Sequence, residues 1–307
     1  MLLQLVLRQF VGTITFAVPI TVAYYFYPAF SQSILAWILC ALAVGIYTFY
    51  AHYTSTKTIE RTLMYFPSGC YKEYFDRLAT ICDINPQSIR LRYGYTNSSV
   101  ATTIFKTICI DPILWQEFCT DPEAIKALEV LDKYIIPGLS AEQKTIMQNT
   151  KQILCPAAQS FFFKHELGHV INNASIKILI SYGIVGFLAT FCGITAAMAS
   201  ITTCGVFSLL IGMVVGGTAD SLFTYLVNAT VKYREEKMAD QFAVRYSSAE
   251  EMYAAADFFE KHQEIIEKNQ PAQSLRTYIP GIFLDGHQHG NTRARYLRLL
   301  AARRSNH

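Results

Sequence analysis

Two long stretches without a charged side chain limit what this chain can fold into. From Val11 to Tyr50, and again from Ile178 to Ala219, there is no Asp, Glu, Lys or Arg. Each stretch has room for two spans of about 18 residues, the length of a bilayer core. Each is also broken near its middle, the first by Pro28, Ser31, Gln32 and Ser33, the second by the small and polar residues from Ser200 to Gly205. The pattern predicts two transmembrane hairpins, four spans in all. A cleaved signal peptide fits the first stretch poorly: its apolar region is too long, it lacks a small-residue cleavage site, and a second span follows. Hydrophobic residues make up 52% of the 307, above the soluble range, as lipid exposure requires.

Charge orients these spans. Arg8, Lys57, Arg61, Lys177 and Lys232 all lie outside the hairpins, whose connecting turns carry no charge. By the positive-inside rule the polar sequence is then cytoplasmic. Eight cysteines, scattered without a C-x-x-C pair, read as reduced thiols of the same compartment. A charged fraction of 16% and a net charge of +3 leave no large basic surface for nucleic acid. The expected organisation is a membrane hairpin over residues 1–53, a first catalytic segment over 54–175, a second hairpin over 176–230 and a second catalytic segment over 231–307.

The first segment predicts an amphipathic helix from Tyr71 to Asp83, strands from Ile89 to Tyr95 and from Val100 to Ile110, and a helix opening at Ser140 with Gln143 placed for a capping box. Ala157 to Ser175 reads as a further helix. The predicted class is α+β, mainly helical, with a small sheet.

That last helix carries the chemistry. His165-Glu166-Leu167-Gly168-His169 is H-E-x-x-H, with histidines four residues apart and so about 40° apart around a helix. Both imidazoles reach one ion, neutral nitrogen suits Zn²⁺, and the intervening Glu166 stands where a general base must. Phe161, Phe162, Phe163, Leu167 and Val170 surround these polar groups, and an apolar helix does not bury two imidazoles and a carboxylate without partners. A solvated helix face is the ordinary alternative. Gly168 leaves room for another backbone to approach.

A catalytic zinc site needs a third protein ligand. Across the second hairpin, Glu236-Lys237-Met238-Ala239-Asp240 puts two carboxylates on one helical face beside a small residue that permits tight packing. Glu236 is the candidate ligand, and Asp240 a carboxylate that orients a ligating histidine. The bland reading is a charged helix end at a membrane boundary.

With HELGH at His165 to His169 and R-x-E-x-x-A-D at Arg234 to Asp240, the chain resembles family forty-eight of the metallopeptidases, which includes the HtpX-type membrane proteases and the CAAX prenyl endopeptidases. The resemblance implies a zincin-like domain of the gluzincin type, one Zn²⁺ held by His165, His169 and Glu236, and Glu166 as catalytic base. It also implies a membrane hairpin between the two motifs, a role in membrane-protein quality control, and residence in the inner (cell) membrane of a bacterium, while placement beside four spans favours protein or peptide substrates drawn from membrane or membrane-proximal proteins. Members carry H-P-x-x-x-x-R near the C-terminus; His287 with Arg293 has that spacing, with Gln288 in place of the proline, and His289 with Arg295 has it too. His287 is preferred as a stabiliser of the tetrahedral intermediate. Asn97 to Phe105 resembles the family's substrate-binding edge strand without its Asn-Ala-Phe sequence.

Two other readings stand beside this one. Pro280 to Gly286 matches the P-x-x-x-L-D-G of site-two-type intramembrane zinc proteases, in which Asp285 would be the third ligand, but Arg276, His287 and Arg293 crowd it with polar groups that a span excludes. A non-catalytic membrane scaffold with a protease-like fold is the other.

Overall fold

The computed structural model describes residues 34–62, 65, 67, 69–94, 101–115, 121–269 and 290–305. By its internal contacts the chain divides into two units, residues 1–54 with 178–227 and residues 55–177 with 228–307.

The described residues of the first unit are helical. It holds most of α1 (Ile34–Thr62), most of α6 (Ala174–Cys204) and α7 (Ser208–Val227). Among the described residues three helical runs are long and apolar enough to cross a membrane: Ile34–Glu60, Ala174–Ser200 and Leu210–Tyr246. The last, at 37 residues, exceeds the roughly 20 that a crossing needs, and from Asn228 onward it belongs to the second unit. The first of the four expected spans lies outside the described residues. Lipid provides no hydrophobic drive between helices, so close backbone approach takes over. A Cβ on Gly45 would stand 2.8 Å from the carbonyl oxygen of Gly183, and one on Gly193 would stand 2.9 Å from that of Gly212. Large apolar side chains such as Leu35, Ile46, Ile180, Val214 and Leu222 are exposed, as they are on a lipid-facing surface.

The second unit wraps helices around a small sheet. Its elements are α2 (Gly69–Ile81), β1 (Arg90–Tyr93), β2 (Ala101–Ile104), β3 (Thr107–Ile110), α3 (Pro122–Tyr134), α4 (Ala141–Ile153), α5 (Pro156–Ile171), a π-helical turn (Asn228–Lys232), α8 (Tyr233–Tyr246), α9 (Ala249–Asn269) and α10 (Gly290–Ser305). Ser140 caps α4 with the expected capping box: the Gln143 amide donates to Ser140 Oγ at 3.1 Å and the Ser140 amide to Gln143 Oε1 at 2.9 Å.

The single strand expected from Val100 to Ile110 is instead two strands. They are joined at Phe105, whose φ of 55° reverses the chain. The sheet order is β1-β3-β2, with β3 parallel to β1 and antiparallel to β2, and Thr103 opposite Ile108. Three contacts fasten this hairpin at its turn. The Phe105 amide donates to Ser175 Oγ at 3.1 Å, Lys57 Nζ lies 4.3 Å from the centroid of the Phe105 ring, and Thr107 Oγ1 donates to Glu60 Oε1 at 2.5 Å.

Helix α5 runs through the centre. Pro156 suits its first turn because the lost amide is one the helix leaves unpaired anyway. Its Phe163 packs on Phe75 at 4.8 Å between centroids, and its Phe162 on Phe258 at 4.8 Å. It ends at Ile171, and Asn173 in the left-handed region (φ 52°) breaks the chain before α6 begins.

Candidate metal centre

Although its core is aromatic, α5 also buries Lys164, His165 and Glu166. Buried polar groups need partners, and each of these has one. Lys164 Nζ donates to both oxygens of Glu251 at 2.8 and 2.7 Å. His165 Nδ1 lies 2.9 Å from Asp240 Oδ1, and Asp240 accepts in turn from Arg293 Nε at 3.0 Å and Nη2 at 2.5 Å. The Arg293 guanidinium stacks 4.0 Å from the centroid of Phe259. Arg293 fixes Asp240, and Asp240 fixes the tautomer and ring angle of His165 so that Nε2 is left free to bind.

The two motifs meet because α5 and α8 touch backbone to backbone. A Cβ on Gly168 would stand 2.8 Å from Cα of Ala239, so glycine at this place sets the separation of the helices. At that separation the side chains of three residues converge. His165 Nε2 is 3.1 Å from His169 Nε2 and 3.4 Å from Glu236 Oε2, while His169 Nε2 is 3.3 Å from Glu236 Oε1. Zinc bonded at about 2.0–2.1 Å in a tetrahedron separates its ligands by about 3.3–3.4 Å, so the donor set fits that ion. The electrostatics agree. Burial disfavours charge on His165, but the carboxylates of Asp240 and Glu236 outweigh it and push its pKa up to about 10.

Ligand atoms of His165, Glu166 and His169 all lie within 4.8 Å of one another. Glu166 sits differently from Glu236: its Oε2 accepts from Thr103 Oγ1 on β2 at 2.6 Å. His169 contrasts with His165, since its buried Nδ1 has no hydrogen-bond partner among the described residues.

The model of Peptidase family M48 matches residues 146–299, a span that includes both motifs and all of α5, α8 and α9. The chain belongs to Peptidase family M48. Membership in the M48 family makes it a metallopeptidase by class, and the family's peptidases are metal-dependent, typically on zinc. Neither the curated proteins nor the solved structures gave a match.

Of the residues singled out in the sequence, His165, Glu166, His169, Glu236 and Asp240 stand together, whereas His287, His289 and Asp285 lie outside the described residues. Of the two arginines offered by the C-terminal spacing, Arg293 is buried against Asp240 and Arg295 is exposed. The pairing that ends on Arg293 begins at His287. Sequence reasoning missed the Thr103–Glu166 and Lys164–Glu251 contacts.

Proposed function

We propose that this chain is a zinc-dependent, membrane-bound endopeptidase that hydrolyses peptide bonds in membrane or membrane-proximal proteins, with its catalytic residues on the cytoplasmic side. The observation that carries the reading is the set of 3.1–3.4 Å contacts among His165, His169 and Glu236, with a second carboxylate, Glu166, beside them.

A bound zinc ion supplies a Lewis acid that polarises a carbonyl and acidifies water. His165, His169 and Glu236 would hold it, leaving one position open. Glu166 takes the proton of the attacking water and returns it to the leaving amine. Strand β2 has only β3 beside it among the described residues, so its other edge offers backbone donors and acceptors to an extended peptide. Thr103 lies in that strand and touches Glu166, so a peptide added there would run past the base. Buried Arg293 and Asp240 hold the imidazole of His165, and His287 is the candidate stabiliser of the tetrahedral intermediate.

The test is zinc content and hydrolysis of a membrane-protein substrate in detergent, for the wild type, Glu166→Gln and Glu236→Ala. Glu166→Gln is expected to keep its zinc and lose about 10²- to 10⁴-fold in rate, the usual contribution of general acid–base catalysis. Glu236→Ala is expected to lose the zinc. A metal-free wild type, or a Glu166→Gln protein with full function, would support the scaffold reading instead.

A further inference from the structure

Resting on the reading of Glu166 as the base, we propose that Thr103 is a positioning residue that sets the orientation of the Glu166 carboxylate from the substrate-binding strand. Its hydroxyl is the only hydrogen-bond donor to that carboxylate among the described residues, at 2.6 Å from Oε2, and it lies 3.1 Å from the Glu166 carbonyl oxygen. A hydroxyl bound to an ionised carboxylate is among the stronger hydrogen bonds of a protein. Three and four positions from Glu166 on α5 stand Phe162, Phe163, His169 and Val170; the two phenylalanines and the valine have no side-chain donor, and neither ring nitrogen of His169 is hydrogen-bonded to Glu166. Without Thr103 the side chain keeps its place on the helix and loses what fixes its terminal rotation.

The hydroxyl is itself well held. Threonine is stiff at χ1, its strand register is fixed against β3, and the turn two residues on is tied to Ser175, Lys57 and Glu60 through Phe105 and Thr107. The donor is thus anchored independently of the helix that carries the base. With Oε2 engaged, Oε1 is the oxygen left for the proton of the attacking water. Because Thr103 belongs to the strand whose outer edge, unpaired among the described residues, would receive the peptide, seating the substrate and aiming the base act through one element.

The experiment compares Thr103→Val, which keeps the shape and removes the hydroxyl, with Thr103→Ser, which keeps the hydroxyl. Zinc content, kcat and KM are measured on the full-length protein in detergent. Thr103→Val is expected to keep its zinc and its KM while kcat falls about 10- to 100-fold, the scale of one hydrogen bond to a charged group. Thr103→Ser is expected to recover most of that loss. Thr103→Ala stands in as the hydroxyl-free variant should the valine protein not fold.

A second readout needs neither metal nor turnover. In the metal-free protein, the melting-point losses of Thr103→Val and Glu166→Ala are expected to be less than additive in the double variant, because each alone breaks the same bond. Additive losses overturn the contact. A kcat equal to wild type in Thr103→Val, or serine and valine variants equally slow, overturns the positioning role. Should Glu166→Gln prove fully active, the functional reading has failed, whereas an inert Glu166→Gln beside a fully active Thr103→Val sinks this inference alone.

Discussion

Helix α5 is held on its two sides by different means. Toward α8, α9 and α10 it is fixed by buried charge and by backbone contact: Lys164 on Glu251, His165 on Asp240 that Arg293 holds in turn, Gly168 on Ala239. Toward the sheet, Glu166 meets a single hydroxyl. The difference teaches a division of labour. His165 is placed by interactions that also hold the domain together, while Glu166, the proposed base, is aimed by one bond to a strand. Damage on the helical side should therefore show in stability and zinc affinity, and damage on the sheet side in rate.

The sharpest break of that comparison is Lys164→Met. Lys164 is the buried counter-ion of Glu251, which also accepts from Ser160 Oγ at 2.5 Å and from the Ser248 amide at 2.7 Å, where it closes the first turn of α9. Removing Lys164 leaves the largely buried Glu251 carboxylate with neutral donors and no counter-charge, at a cost of about 3–5 kcal/mol. A melting point lowered by roughly 6–20 °C is expected for a unit of this size, restored in part by the double change Lys164→Met with Glu251→Gln. Burial raises the pKa of Glu251, and its hydrogen bonds with Lys164, Ser160 and Ser248 outweigh that and lower it. A lowered folded pKa means stability that is present above the ordinary glutamate value of about 4.3 and is lost as pH falls through the folded value, so the wild type should lose this advantage over the variant only in acid. Equal melting points at pH 7 would mean that the pair does not hold α5.

Next in size is Gly168→Ala. The added methyl meets Ala239 Cα at 2.8 Å and Phe242 Cβ at 3.1 Å, and a backbone atom cannot swing aside, so the two helices must part. Overpacking of this kind costs about 1–3 kcal/mol. The more telling readout is zinc affinity by chelator competition, since Glu236 is carried on the helix that moves. Gly138→Ala, with nothing within 4 Å, is the control expected to change neither. A Gly168→Ala protein with native zinc affinity would show that Gly168 does not set the ligand distances.

What could be read in the sequence follows the same division. The H-E-x-x-H and E-x-x-A-D spacings are local, and a helix turns them into one face each, so the convergence of His165, His169 and Glu236 was foreseeable from pattern and resemblance together. Thr103 and Glu166 are 63 residues apart, and Lys164 and Glu251 are 87 apart. No periodicity reports on such pairs. The hairpin at Phe105 was missed for a different reason. Residues Val100 to Ile110 are rich in threonine and isoleucine with no Gly, Asn or Pro to mark a turn. The reversal is made by a phenylalanine at positive φ, held there by Ser175 and Lys57 from distant parts of the chain.

The smallest effect expected on the helical side concerns pH. His262 on α9 stacks on Phe258 at 5.3 Å between centroids, and Phe258 packs on Phe162 of α5. Burial pushes the His262 pKa down to about 4, and its Nε2 has no hydrogen-bond partner among the described residues. The unfolded imidazole titrates near 6.5, so between these values the unfolded chain binds the extra proton. The stability that a neutral His262 allows is complete above pH 6.5 and drains away as pH falls toward 4. From pH 7 to pH 5 the loss should reach roughly 1–2 kcal/mol, and His262→Phe should remove that slope. Melting of the metal-free protein reads this without interference from protons competing for the zinc ligands. A variant with the wild-type slope would move the pH sensitivity elsewhere. A variant that flattens the slope while kcat at pH 7 stays put would place one more interaction on the side of α5 that governs stability and not rate.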